Sequence, residues 1–97
     1  MSGITFSWGD GKSRSNQKKH GVSFQEAQTV FFDERAVEYF DPDHSADEDR
    51  YLMLGLGYRL RLLVVSYALR ESVAEVRIIF ARKATKKEHK AYFGEGS

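Results

Sequence analysis

The 97-residue sequence contains no cysteine, a single proline and no long apolar segment. The lack of cysteine excludes disulfide bonds, cysteine-ligated zinc and thiol nucleophiles. No apolar run approaches the roughly 20 residues that cross a bilayer, and the first residues lack the basic and then apolar order of a signal peptide. We therefore expect a cytoplasmic protein that has no membrane contact and is stabilised by packing alone.

Apolar residues are frequent enough to build a folded core. The hydrophobic fraction is 41%, with seven phenylalanines and five tyrosines, which is too high for a disordered segment. We expect one domain, spanning residues 1–97, because a chain this short buries only about 60 to 70% of the surface that it exposes when unfolded. Such a modest core leaves no room for a large cofactor, so no cofactor is predicted.

The small net charge of +1 hides two segments of opposite sign. Residues 33–50 hold eight Asp or Glu and two Arg, whereas residues 59–92 hold nine Lys or Arg and three Glu. A basic C-terminal half suits phosphate groups or an acidic partner. The alternative interpretation is ordinary solvated surface charge.

The apolar pattern predicts an α+β fold in which an antiparallel sheet has helices packed against it, in the order βααββββα. Ile4, Phe6 and Trp8 alternate with polar residues, as in a half-buried strand. Four further strands are predicted, at residues 36–40, 50–58, 60–69 and 73–82. The third of these contains "RLLVVSYAL", which is apolar almost throughout and is therefore expected to be the central strand.

The first predicted helix lies in "GDGKSRSNQKKHG". Asp10 is the expected N-cap, and Gly21 is the expected stop after a basic last turn. This segment has no apolar stripe, so such a helix must be held in place by polar contacts.

Two further helices are expected from capping boxes, in which Ser or Thr precedes Glu by three positions. Ser23 with Glu26 opens one of them, whose apolar side would pack on the sheet. That side consists of Phe24, Ala27, Val30 and Phe31. Thr85 with Glu88 opens the last helix, which is expected to run from about Lys86 to Gly94.

Basic residues are concentrated near the ends of the last two predicted strands. In "VRIIFARKAT", regular alternation predicts that Arg77 and Arg82 lie on opposite faces of one strand. Arg61 and Tyr67 share a face of the preceding strand. Such a cluster suits an anionic ligand, because a guanidinium group donates paired hydrogen bonds to phosphate oxygens. The alternative is a set of surface charges that blunt sheet edges or pair with the acidic segment.

Several stretches together resemble the BrnT family of bacterial toxins. They are "FSW", "KKHGVSFQEA", "DPDHSADEDR", "YLMLGLGYRLRLLVVSY" and "RIIFARKATKKE". The resemblance implies a RelE-like fold, endoribonuclease activity that inhibits translation, and neutralisation by a BrnA-like antitoxin, with which a heterotetramer is possible. The sequence departs from the family pattern at "GDGKSRS", where members of the family have better helix formers.

The resemblance directs attention to residues that could cleave RNA without a metal. In that reaction the substrate 2′-OH attacks phosphorus, so the protein must move protons and stabilise charge. The predicted catalytic residues are His20, Arg61, Arg77 and Arg82. The predicted RNA-binding residues are Lys19, Tyr67, Lys83, Lys86 and Lys87. His20 is the first candidate for proton transfer, and its alternative role is to cap the preceding helix.

No metal site is predicted. The acidic segment "DPDHSADED" has Ala46 where a calcium-binding EF-hand loop needs glycine, and Leu52 where it needs a bidentate glutamate. The three histidines, at positions 20, 44 and 89, have no metal-ligand spacing. Two alternatives to an enzyme stay open at this point: a non-catalytic RNA-binding or ribosome-associated module, and a protein whose basic half docks an acidic partner.

Overall fold

The computed structural model describes residues 3–94. Within them, the strands are β1 (Thr5–Ser7), β2 (Val37–Phe40), β3 (Arg50–Leu56), β4 (Leu62–Arg70) and β5 (Glu75–Lys83). The α-helices of the same residues are α1 (Lys12–His20), α2 (Phe24–Thr29) and α3 (Lys86–Phe93). Along the chain, β1 precedes α1 and α2, the four remaining strands follow, and α3 comes last. The predicted α+β architecture is confirmed.

All five strands form one sheet in the order β1-β5-β4-β3-β2. Strands β2 to β5 make an antiparallel meander, as predicted. β1 instead runs parallel to β5 and pairs Thr5 with Glu75 and Ser7 with Arg77. The expectation of an entirely antiparallel sheet was therefore wrong at this edge. β1 leaves the sheet through two helices, and a crossover of that kind delivers a parallel neighbour without any turn motif that reveals it.

The prediction that β4 is the central strand is confirmed. Residues 62–68 are all buried, because helices and loops cover both faces of the sheet there. The odd-numbered side chains of β4 face α2, on what we call the α2 face. The even-numbered side chains Leu62 and Val64 face the other way, towards α3, on the α3 face.

The two faces bury very different amounts of apolar surface. On the α2 face, helix α2 and its flanking residues pack against β4 and β5. The buried residues there are Val22, Phe24, Ala27, Val30, Leu63, Val65, Tyr67, Val76, Ile78 and Ala81. Among the described residues, the buried apolar cluster on the α3 face consists of Leu54, Leu62 and Val64. Since a fully buried aliphatic or aromatic side chain contributes about 1.5 to 3 kcal/mol, the α2 face supplies most of the packing energy.

A β-bulge in β5 changes which residues share a face. Ser66 pairs with Phe80, but the next residue of β4, Tyr67, pairs with Ile78, so Ile79 is an extra residue in β5. The side chains after the bulge therefore switch faces relative to a regular strand. Arg77 lies opposite Ala68 and Arg82 opposite Val64, so both arginines are on the α3 face. The prediction that they lie on opposite faces was wrong.

Helix α1 is attached to the sheet by the side chain of Asn16. Its Nδ2 donates to the carbonyl oxygens of Ala81 and Val22, both at 2.8 Å, and its Oδ1 accepts from the Ala81 amide at 3.1 Å. The carboxamide thus pairs with β5 as a neighbouring strand would. β1 covers only residues 75–77 of β5, so α1 occupies the edge that β1 leaves open. This explains how a helix without an apolar stripe is held.

The ends of α1 agree only in part with the sequence prediction. Gly21 is the C-cap, in the left-handed conformation with φ 74°, and its amide donates to the Gln17 carbonyl. The N-cap is Gly11, also left-handed at φ 73°, and not Asp10. The prediction for Asp10 was wrong, because the chain turns sharply one residue later, where glycine accepts the positive φ without strain.

The other two helices show one partial and one complete capping box. Ser23 accepts a hydrogen bond from the Glu26 amide, but the Glu26 carboxylate pairs with Arg61 instead of returning to Ser23. In α3 both halves of the box form between Thr85 and Glu88, as predicted. No helix within residues 3–94 combines the length and the apolar character needed to cross a membrane.

Candidate nucleic-acid interface

Helix α1 and the second half of β5 enclose a groove of about 530 Å³, which we call the α1–β5 groove. It is lined by Lys12, Ser15, Asn16, Lys19, His20, Ile79, Phe80 and Arg82. Three of these side chains are cationic, one is a histidine and none carries a carboxylate. The groove is therefore suited to an anionic ligand.

The basic side of α1 follows from its helical period. Lys12, Asn16, Lys19 and His20 stand at positions i, i+4, i+7 and i+8, so they share one side of a helix. Because Asn16 is bonded to β5, this side is turned towards the strand. The residue that anchors the helix therefore also directs its basic side chains into the groove.

His20 ends α1 and lies beside Phe80. The two ring centroids are 6.4 Å apart, at an interplanar angle of 37°. The alternative role of His20, capping the helix, is taken by Gly21, whose amide donates to the Gln17 carbonyl. The imidazole therefore lines the groove next to a phenylalanine ring that is 36% exposed.

Arg82 enters the groove from the opposite wall and is held by Glu88. Its two terminal nitrogens each donate to one carboxylate oxygen of Glu88, both at 2.9 Å. This hydrogen-bonded pair lowers the pKa of Glu88 to about 2 and raises that of Arg82. The Arg82 side chain is 33% exposed, so it is oriented in advance and still reachable from solvent.

Arg61 is bonded to a buried carboxylate. Its Nε and one terminal nitrogen donate to the two oxygens of Glu26, at 3.0 and 2.5 Å, and Glu26 is only 1% exposed. The same terminal nitrogen donates to the Gly21 carbonyl at 3.0 Å. The hydrogen bond from Arg61 to Glu26 raises the pKa of the guanidinium. This geometry favours a structural role, in which Arg61 holds the chain directly after His20.

Arg77 lies outside the α1–β5 groove. It pairs with Ala68 and Arg82 pairs with Val64, so the two arginines are about 13 Å apart along the sheet. The guanidinium of Arg77 is bonded to Glu48 in the acidic segment. It lines an adjoining hollow with Arg50 and Lys12. The structure therefore does not bring the four predicted catalytic residues together; His20 and Arg82 share the groove, and Arg61 and Arg77 do not line it.

The prediction that Tyr67 contacts RNA was wrong. Its side chain is 1% exposed and packs against Phe31 and Tyr51 on the α2 face. Its hydroxyl donates to the Glu38 carboxylate, and burial together with this hydrogen bond raises the pKa of the phenol. The tyrosine belongs to the core because β4 is covered on both faces.

The predicted RNA-binding lysines occupy three different places. Lys19 lines the α1–β5 groove and is exposed. Lys83 is exposed at the end of β5, and its ammonium group comes close to Gly21, within 3.8 Å of the position that a Cβ atom there would take. Lys86 and Lys87 are exposed in the first turn of α3, where Lys87 borders a separate apolar hollow with Leu52.

Comparison with known proteins identifies the family. A sequence model described as "ribonuclease toxin, BrnT, of type II toxin-antitoxin system" matches residues 8–88. The chain belongs to the BrnT family. The matched range includes the whole of the α1–β5 groove. Membership of the BrnT family, a family of ribonuclease toxins, implies RNA as the substrate and an antitoxin as the partner.

A solved BrnT structure supports the fold. The chain is similar to the ribonuclease toxin BrnT of Brucella abortus, known from a crystal structure at 1.1 Å resolution. The TM-score is 0.62 and the sequence identity 20%, over 87% of this chain and 100% of the Brucella chain. At this identity the likeness establishes the fold, and a RelE-like fold stays a prediction. Among curated protein sequences, none matches this chain significantly.

Five residues that line this BrnT groove were not predicted as site residues, and two of them, Lys12 and Phe80, add a cation and an exposed ring. Lys12 was overlooked, although its spacing of seven from Lys19 places both lysines on one helical side. Phe80 was assigned to an alternating strand with Val76 and Ile78, and only the bulge turns it away from those two buried residues. Helical periodicity could have revealed Lys12, whereas no local signal in the sequence marks the bulge.

Proposed function

We propose that this BrnT family member is a metal-independent endoribonuclease that cleaves RNA in the α1–β5 groove and thereby inhibits translation. The observation that supports this most directly is the lining of the groove, where His20 lies among three cationic side chains and no carboxylate. Such a lining attracts a phosphodiester and supplies a group that transfers protons. An RNA substrate would place the activity in the cytoplasm.

The proposed reaction uses the RNA as its own nucleophile. The substrate 2′-oxygen attacks the adjacent phosphorus, the bond from phosphorus to the 5′-oxygen breaks, and a 2′,3′-cyclic phosphate forms. One proton leaves the 2′-OH, and another must reach the departing 5′-oxygen. His20 carries out one of these transfers, because an imidazole accepts and donates protons near neutral pH.

The cationic side chains have separate tasks in this proposal. Lys12, Lys19 and Arg82 stabilise the negative charge that grows on the phosphate oxygens in the transition state. Arg61 acts as a positioning residue, since it holds the Gly21 carbonyl next to His20. The half-exposed ring of Phe80 gives an RNA base a surface on which to stack.

The acidic side chains support a mechanism without metal. Within residues 3–94, no three His, Asp or Glu side chains come together in a way that could hold a metal ion. A two-metal phosphodiesterase needs such ligands around the reacting phosphate. The carboxylate nearest to Arg82 is that of Glu88, which does not line the α1–β5 groove and is hydrogen-bonded to the guanidinium itself.

We further propose that a BrnA-like antitoxin neutralises the toxin by covering the groove, within a heterotetramer. Phe93 is 49% exposed at the end of α3 and is a candidate contact for the apolar residues of that partner. The neighbouring Tyr92 is not a candidate contact, because its hydroxyl donates to Asp33 at 2.5 Å and its ring packs on the α3 face.

Light scattering on the co-purified complex measures the stoichiometry of toxin and antitoxin. A stable complex of toxin, antitoxin and RNA would contradict the proposal that the antitoxin covers the groove.

Cleavage of RNA in EDTA tests the proposed reaction. We expect the purified protein to cut single-stranded RNA in the presence of EDTA and to leave 2′,3′-cyclic phosphate or 3′-phosphate ends, with His20→Ala strongly impaired. A strict requirement for magnesium would refute the mechanism. If wild-type protein bound RNA without cutting it, the second candidate function would be preferred, a non-catalytic RNA-binding or ribosome-associated module that uses the same basic groove.

A further inference from the structure

A second cluster of cations lies on the α3 face, next to the α1–β5 groove. Arg50 and Arg77 stand on either side of Ala68, because each pairs with it from a neighbouring strand. Their side chains line a hollow of about 280 Å³, together with Gly9, Lys12, Ile78 and Ile79. Lys12 and Ile79 also line the α1–β5 groove, so the two depressions adjoin each other.

Both arginines are directed at a single carboxylate. Arg77 donates a hydrogen bond to Glu48, and a terminal nitrogen of Arg50 lies 3.5 Å from the same Glu48 oxygen. The Nε of Arg50 is enclosed and has no hydrogen-bond partner among the described residues. Glu75, on the same face, accepts from Ser7 and lies 3.7 Å from Arg70. Two guanidinium groups therefore share the single negative charge of Glu48.

We infer that Arg50 and Arg77 form a second phosphate-binding position for RNA and that Glu48 occupies this position in the free protein. The inference rests on the proposed function, since it concerns RNA that extends from the α1–β5 groove into the adjoining hollow. Arg77 and Arg82 are about 13 Å apart along β5 and are bonded to different carboxylates, so they bind different phosphates. Arg77 thereby becomes a binding residue instead of a catalytic one.

The Glu48 contact is built so that a phosphate can replace it. The side chains of Arg77 and Glu48 are 45% and 37% exposed. An ion pair that is so accessible to water is weak and is screened by salt. A phosphate brings an equal charge and more acceptor oxygens, and its binding releases the Glu48 carboxylate to water. The acidic segment thus acts as an internal competitor that reduces the affinity of the toxin for RNA.

Binding measurements on an uncleavable RNA test this inference. The probe is a short, fluorescently labelled single strand with 2′-O-methyl groups, titrated in EDTA at several salt concentrations. We expect Glu48→Gln to tighten binding about two- to fivefold, because it removes the competing charge. Arg50→Ala and Arg77→Ala should each weaken binding about tenfold and reduce the slope of log affinity against log salt by about 0.7.

Asp43→Asn is the matched control, because it removes one negative charge from an exposed position of the same segment. The inference would be overturned if the Glu48→Gln protein bound RNA no more tightly than the Asp43→Asn protein. It would also be overturned if Arg50→Ala and Arg77→Ala both kept the affinity and the salt slope of the wild type. Arg50→Lys keeps the charge and should recover most of the slope, which separates phosphate binding from damage to β3. Cleavage of unmodified RNA is measured separately, so failure of the ribonuclease proposal is distinguishable from failure of this one.

Discussion

Two arginine–glutamate pairs in this molecule are both bidentate, but their carboxylates lie in different surroundings. Arg61 donates two hydrogen bonds to Glu26, a residue of α2 that is 1% exposed. Arg82 grips Glu88 at the mouth of the α1–β5 groove, where the two side chains are 33% and 29% exposed. The two arginine side chains are similarly exposed, at 27% and 33%, so the difference lies in their partners. Burial of the carboxylate separates an arginine that supports the fold from one that is available to substrate.

The physical reason lies in the solvation of the carboxylate. Glu26 has lost its water, so the charge must be compensated inside the protein, and the guanidinium of Arg61 cannot leave without a large penalty. Glu88 keeps part of its hydration, and water and salt screen its attraction for Arg82. A phosphate group can therefore compete for Arg82, whereas it cannot compete for Arg61.

The largest effect is expected from removing Arg61, the arginine that is paired with a buried carboxylate. Arg61→Ala should lower the free energy of unfolding by about 3 to 5 kcal/mol, because it leaves Glu26 charged and unpaired inside the protein. Urea denaturation followed by circular dichroism measures this. The double variant with Glu26→Gln should regain part of the loss, since a neutral amide is cheaper to bury. If Arg61→Ala alone were as stable as the wild type, the proposed difference between the two pairs would be wrong.

Removing Arg82, the arginine of the partly exposed pair, should instead reduce activity. Arg82→Ala should lower the rate of RNA cleavage about 100- to 1,000-fold, the usual effect of losing one oriented charge at a transition state. Its stability should fall by no more than about 1 kcal/mol. Arg59→Ala is the control, because Arg59 is exposed in the turn between β3 and β4. Glu95 is a second charged position suited to a control substitution, and it lies outside the described residues. If the Arg82→Ala protein kept full activity, Arg82 would not be part of the catalytic site.

Acid should weaken the exposed pair in a defined pH range. The hydrogen bond from Arg82 is the largest cause of the lowered pKa of Glu88, about 2 against an ordinary value of 4.5. A lowered pKa means that the pair stabilises the fold fully above pH 4.5 and loses this contribution as the pH falls towards 2. Wild type should therefore exceed Glu88→Gln by about 1 kcal/mol near neutral pH, because water screens a partly exposed pair, and this difference should shrink in acid. A constant difference would contradict this assignment.

The smallest effect is expected on RNA binding. Glu88→Gln frees the guanidinium of Arg82, while its amide oxygen can still accept from the Thr85 amide and preserve the helix cap. Affinity for an uncleavable RNA should therefore rise by a factor of about two to five, since the lost pair is partly exposed. Glu26→Gln should leave this affinity unchanged or lower it. Equal gains in both variants would indicate a general charge effect.

The elements that could be predicted depend on residues close together in the chain. The stop at Gly21, the Thr85 and Glu88 capping box and the apolar run of β4 were all correct for this reason. The candidate site was predicted only in part. His20, Lys19 and Arg82 do line one groove, but Tyr67 is buried and Arg61 is bound to Glu26. Which residue is free depends on what packs over it, and the sequence does not contain that information locally.

By itself, the sequence determined the α+β architecture, the central position of β4 and the basic character of the C-terminal half, because periodicity, capping and charge act over a few residues. Tertiary structure alone decided three things: the bulge at Ile79, the attachment of Asn16 to Ala81, 65 residues away, and the pairing of Arg61 with Glu26, 35 residues away. These contacts form only when distant segments meet at the edge of β5 and beneath α2. Burial there determines which charges must be paired and which are left for a ligand.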